Sequence, residues 1–144
     1  MSTFMKKWAV AASIPALALG ASLASAHHSA AQFDFSKRIT VQGTVERFEV
    51  KNPHAAAVIT VQDAKGARSV EYEGHSASHF YRAGYTRDMV HVGDKIAILI
   101  APRKDGADGG FIQAFTVNGK TVGFGGLSPE TGKPAAGGGS APSK

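Results

Sequence analysis

The residues of this chain best suited to chemistry are its histidines: His27-His28, His54, His75, His79 and His91. The first pair stands directly behind Ala24-Ser25-Ala26. If export trims the chain after Ala26, His27 becomes the first residue, and its α-amino group, with a pKa of about 7.7–8.0, can join its own imidazole in chelating one metal ion. One further imidazole completes a three-nitrogen set. Tetragonal nitrogen sets favour Cu(II), which heads the divalent affinity order, over magnesium or calcium. His28 can contribute as well, through the intervening amide nitrogen once that is deprotonated. The expected third ligand is His54, because it follows the rigid turn Asn52-Pro53 at the mouth of a strand. The plainer reading is that His27 and His28 are solvated polar residues on a frayed terminus, and that His54 hydrogen-bonds a backbone carbonyl at a strand start.

The other candidates carry less chemistry. His75 and His79 stand at i, i+4, the spacing of two ligands on one helix face, but Ser76 as N-cap would leave His75 outside the helix. His91 falls in a turn. Glu71 and Glu73 share one strand face, which the exposed side of a half-buried strand explains equally well. Asp105-Gly106-Ala107-Asp108-Gly109 lacks the spaced oxygen ligands and closing Glu of a calcium loop. Arg82, Tyr85 and Arg87, with Tyr81, form a mixed basic and aromatic patch that could hold an anionic ligand or a partner protein. No acid, base and nucleophile set is recognisable, so the chain is read as non-enzymatic.

The leader that would expose His27 spans residues 1–26. Lys6 and Lys7 precede the apolar run "WAVAASIPALALG", and a small-residue Ala-x-Ala site closes it, the three-part layout of a secretory signal. The run is interrupted by Pro15 and falls short of the ~20 apolar residues a membrane-spanning helix needs. Cleavage after Ala24 is the alternative. Loss of Lys6 and Lys7 lowers the formal charge from +5 to +3. The remaining charges alternate in sign, which argues against a nucleic-acid footprint. With no cysteine in the chain, thiol catalysis and thiolate metal sites are excluded, and an oxidising compartment is tolerated without disulfides. The expected location is therefore periplasmic or secreted.

Positioning the candidates requires a scaffold, and the pattern between the ends is mostly strand. "ITVQGTV" sets Ile39, Val41, Gly43 and Val45 on one face, then the apolar parity shifts to Phe48 and Val50, as at a bulge. "HAAAVITVQ" puts Ala57, Ile59 and Val61 on one side, and "RSVEYEG" sets Val70 and Tyr72 against Glu71 and Glu73. A short helix follows, with Ser76 as cap, Ala77, Phe80 and Tyr81 on one side, and Gly84 as stop. Strand four carries Ile96, Ile98 and Ile100 inward, and strand five Phe111, Gln113, Phe115 and Val117. Asn118-Gly119 signals a tight hairpin into a short sixth strand. Three strands, a short helix and two or three strands is the order of an OB-like Greek-key barrel with its helix between strands three and four. The competing architecture is an open β-sandwich. The domain is assigned to residues 27–124. Residues 125–144, rich in Gly, Pro and Ser, are too poor in large apolar residues to offset their ordering entropy and are expected to be a disordered tail.

The stretch from His27-His28-Ser29 through Phe33-Asp34, Gly43-Thr44-Val45 and Asn52-Pro53-His54, with Gly84-Tyr85-Thr86-Arg87 ahead of Gly93-Asp94, resembles an uncharacterised bacterial family of small exported proteins. The resemblance runs to about Phe124 and implies an exported, OB-like domain. Ala55 stands where members of that family often carry a Trp. The expected function is that of a non-enzymatic periplasmic binding protein for Cu(II) at His27, His28 and His54. The alternative is a metal-free accessory module that holds a partner protein or anionic ligand on the barrel face through Arg82, Tyr85 and Arg87.

Overall fold

A computed structural model describes residues 30–129 of the chain. The elements run β1 (Ile39–Glu49), β2 (Ala56–Asp63), β3 (Gly66–Glu73), helix α1 (Ala77–Arg82), β4 (Lys95–Pro102), β5 (Gly110–Val117), β6 (Lys120–Gly123) and a 3-10 turn (Phe124–Gly126). The strands pair in the order β3-β2-β1-β4-β5-β6, and a parallel bridge between Glu73 of β3 and Phe111 of β5 closes the ring. The domain is mainly β and OB-like, with its short helix between strands three and four.

β1 serves two neighbours because it bends. Its first half pairs with β4 and its second with β2, the two sets overlapping at Gly43 and Thr44. A bulge between Val45 and Arg47 then lets both Val45 and Phe48 face inward, the parity change expected from the sequence. Gly43 permits the bend, since a Cβ there would collide with the Thr60 carbonyl and the Ile59 side chain. Inside, Ile59, Ile98, Ile112 and Phe115 are fully buried. α1 plugs one end with Phe80, whose ring lies 6.1 Å from Phe115, 4.9 Å from Phe124 and 6.2 Å from Phe48.

Four details differ from expectation. β5 does not keep Phe111 and Phe115 on one face, because a bulge opposite Leu99 and Ile100 leaves Gln113 as the extra residue. Phe111 consequently turns away from the main core and packs with Phe33 and Ala101. Tyr81 is exposed, while Tyr85 turns into the core. Ser76 occupies the N-cap position without a side-chain cap bond; its hydroxyl contacts His79 Nδ1 at 2.9 Å instead. Packing also runs on past Phe124, for Pro129 is buried and its carbonyl accepts a 2.7 Å hydrogen bond from the Thr40 hydroxyl.

Candidate functional site

The loop between β1 and β2 and the loop between β4 and β5 flank a cleft of about 610 Å³ over the β2–β3 ladder. Its walls include His54, Lys51, Arg47, Glu73, Arg103 and Phe33. This is the face on which OB barrels take ligands.

His54 is held by backbone on both sides. The Asn52-Pro53 peptide is cis, and the turn is tied to the helix start, where the Ala77 N–H donates to the Asn52 side-chain oxygen and to the Lys51 carbonyl. Immediately after His54, the Ala55 N–H donates to the His75 carbonyl and the Gly74 N–H donates to the Ala55 carbonyl, 2.9 and 2.8 Å. The imidazole is two-thirds covered, and its buried Nδ1 makes no hydrogen bond. Glu73 Oε1 lies 3.5 Å from that nitrogen.

The chain entering the domain crosses the same cleft. Phe33 pairs with Arg103 in an isolated bridge, the Asp34 N–H donates to the Pro102 carbonyl, and Arg103 donates to the Gln32 side chain. Arg103 is also forked onto Asp105, which draws that carboxyl down to about 2. Arg47 reaches Glu49 and Glu71, and Lys51 reaches Glu49, so these cationic walls are matched by carboxylates.

Beyond Glu73 the rings of His75 and His79 stack, with centroids 5.3 Å apart. His75 lies against Phe111 and Phe124 at 4.8 and 4.5 Å. Burial pushes its pKa below the ordinary histidine value, and the nearby His79 and His54 push in the same direction. A histidine kept neutral is a competent hydrogen-bond acceptor or metal ligand. His75 stands outside the helix, as Ser76 at the cap implies. Among the described residues, no three His, Asp or Glu side chains converge closely enough to hold a metal ion.

His27 and His28 lie outside the described residues. Of the alternative patch, Arg82 and Arg87 are exposed, but the Tyr85 ring is buried against Phe48 and Phe80. Burial also raises the Tyr85 hydroxyl pKa. The exposed ring there is Tyr81, whose hydroxyl accepts from Arg87 Nε at 3.3 Å. His91 is solvated at a turn, 3.7 Å from Asp94.

Two neighbours of His54 escaped the sequence reading. In the sequence Glu73 reads with Glu71 as the polar side of a strand, and His75 reads as a residue ahead of the helix cap. Their signal was the hairpin register: the pairing of Asp63 with Gly66, carried back through Ala56 and Glu73, sets His54 opposite His75.

No helix among the described residues is long and apolar enough to cross a membrane. No curated protein matches the chain. Among solved structures, the ZRD-deleted mutant of TiaS in complex with agmatine aligns at 14% identity with a TM-score of 0.40, covering 56% of this chain and 21% of that one. The chain thus spans about a fifth of that protein, a likeness that carries no argument. The family whose sequence pattern fits is described as a family of unknown function, DUF6152; it matches residues 14–113, well over half of the chain, and the protein belongs to it.

Proposed function

We propose that this is a non-enzymatic, exported binding protein of the periplasm that takes Cu(II) between its mature N-terminus and His54. The observation that carries the reading is His54 itself, pinned by backbone in the OB binding cleft with Nδ1 turned toward the Glu73 carboxylate. Glu73 at 3.5 Å is placed to accept from Nδ1 after a small closure, and a carboxylate so bonded orients a ligating imidazole and raises the basicity of the other nitrogen, which would leave Nε2 to take the ion. Phe33 lines the same cleft. Ala30 to Phe33 form a turn in which the Phe33 N–H donates to the Ala30 carbonyl, so the three residues ahead of Ala30, a reach of at most about 10 Å, would have to carry the terminal amine and the imidazoles of His27 and His28 to His54.

The test is a Cu(II) titration of processed protein, read by electron paramagnetic resonance for nitrogen coordination. His54→Ala is expected to lose one nitrogen and at least tenfold in affinity. A variant with one extra residue ahead of His27 is expected to lose the amine and bind more weakly; equal binding would remove the terminal site.

The second reading, a metal-free module holding a partner protein or an anionic ligand, draws on the exposed Tyr81 beside Arg87. It expects wild-type copper behaviour to be irrelevant and co-purification with a periplasmic partner to vanish in the Arg82→Ala, Arg87→Ala double variant while the fold survives.

A further inference from the structure

The barrel has a second concavity, of about 730 Å³, at its open end between the start of β1, the β2–β3 hairpin and the loop between β4 and β5. Its deep wall is apolar, made by Val41, Val61 and Ile100, and Tyr72 lies among them. Tyr72 is only 3% exposed, so its phenol sits at the bottom of the space and not on the rim. Among the described residues no group hydrogen-bonds the Tyr72 hydroxyl: the influences on it are burial and the charges of Asp108, Arg68 and Asp63. Those three residues cover the mouth. Arg68 donates to both oxygens of Asp63, at 2.7 and 3.0 Å, and to both oxygens of Asp108, at 2.7 and 3.0 Å. Burial and the two carboxylates push the phenol pKa up to about 12, so at neutral pH it carries its proton and is available as a hydrogen-bond donor.

We propose that this barrel mouth is a binding site for a small, uncharged, largely apolar carbonyl compound, with the Tyr72 hydroxyl donating to the carbonyl oxygen and the Arg68 fork closing over it. The volume falls in the range of ordinary small-molecule sites, roughly 300–1,000 Å³. An uncharged ligand is indicated because the charges around the mouth are already matched to one another: Arg68 spans Asp63 and Asp108, Lys65 lies 3.6 Å from Asp108, and Arg103 is paired with Asp105. An apolar body is indicated by the aliphatic wall, and a single acceptor by the one phenol, among the described residues, that opens onto the space without a partner.

Acetophenone and α-methylstyrene have nearly the same shape and differ in carrying C=O or C=CH2, so together they isolate the donor. Titrated into the full chain and followed by amide chemical shifts, acetophenone is expected to perturb residues around Val41, Val61, Tyr72 and Ile100, and to bind about 2–12-fold more tightly than α-methylstyrene, the range one hydrogen bond supplies. In Tyr72→Phe, which breaks no bond within the protein, that preference is expected to disappear while the melting midpoint stays near wild type. Arg68→Met is expected to speed dissociation of both probes. Equal affinity of the two probes for wild type overturns the proposal, as does a preference that survives in Tyr72→Phe, or shifts that cluster elsewhere on the barrel.

Discussion

The Glu73 carboxylate stands 3.5 Å from Nδ1 of His54, across the first rung of the β2–β3 ladder where Ala56 pairs with Glu73. Closed to a hydrogen bond on metal binding, this contact would hold the imidazole in one tautomer and one orientation, and loss of such an outer partner lowers metal affinity by about 10–100-fold. Glu73→Gln is therefore expected to weaken Cu(II) binding by that factor while the coordinating nitrogens remain the same in number. A competition titration measures the affinity, and unchanged binding in Glu73→Gln would show that the carboxylate does not support the imidazole.

His75 gives the fold a pH dependence of known sign. Its folded pKa lies below its ordinary value, because burial opposes the charge and His79 and His54 oppose it further. The unfolded chain therefore takes up the proton first, so stability is complete above the unfolded pKa of about 6.5 and is lost as pH falls through it. The carboxylates act elsewhere: Asp63 and Asp105 are held near 2 by their arginines, and what they contribute is lost only in strong acid. The melting midpoint should fall between about pH 7.5 and about pH 5.5, and His75→Phe, which keeps a ring between Phe111 and Phe124, should flatten that fall. A variant with the full wild-type slope would move the effect to another group.

Gly43→Ala tests the bend in β1. The added methyl meets a backbone carbonyl, that of Thr60, as well as the Ile59 side chain, and a carbonyl within a paired ladder cannot swing aside. Forcing such a contact costs about 1–3 kcal/mol. Equilibrium denaturation should show that loss, whereas a midpoint within error of wild type would mean that the β1–β2 ladder slides to make room.

The two bulges show how much of this fold was legible in the sequence. In β1 the parity change was visible because polar residues mark the outer face: Thr44 and Glu46 alternate with Val45, and then Phe48 breaks the rhythm. In β5 nearly every position is buried, on the main core or on the Phe33 side. No run of polar residues was left to register the slip at Gln113. Tyr81 and Tyr85 were ambiguous for a related reason: a helix of six residues has too little periodicity to say which ring turns inward. His54 was legible from its rigid turn. Glu73 and His75 were not, because their proximity to it comes from the pairing of β2 with β3, which no spacing within either strand encodes.

Phe80 is the only buried residue of α1, yet its ring meets Phe48 of β1, Phe115 of β5, Tyr85 after the helix and Phe124 after β6. The helix is too short to be stable on its own, so its place at the barrel end depends on that one side chain. Phe80→Ala should remove the ring contacts and leave a cavity among aromatic neighbours that cannot all close in, at a cost of about 3–5 kcal/mol. Phe80→Leu should cost a fraction of that. The consequence reaches the site, because the N–H of Ala77 on the same helix is bonded to Asn52 and Lys51 of the turn that carries His54. At a temperature where Phe80→Ala is still folded, amide exchange at Ala77 and Ala55 should accelerate and Cu(II) affinity should drop with it. Faster exchange in the helix with unchanged exchange at Ala55 would mean that strand pairing alone holds His54 in place.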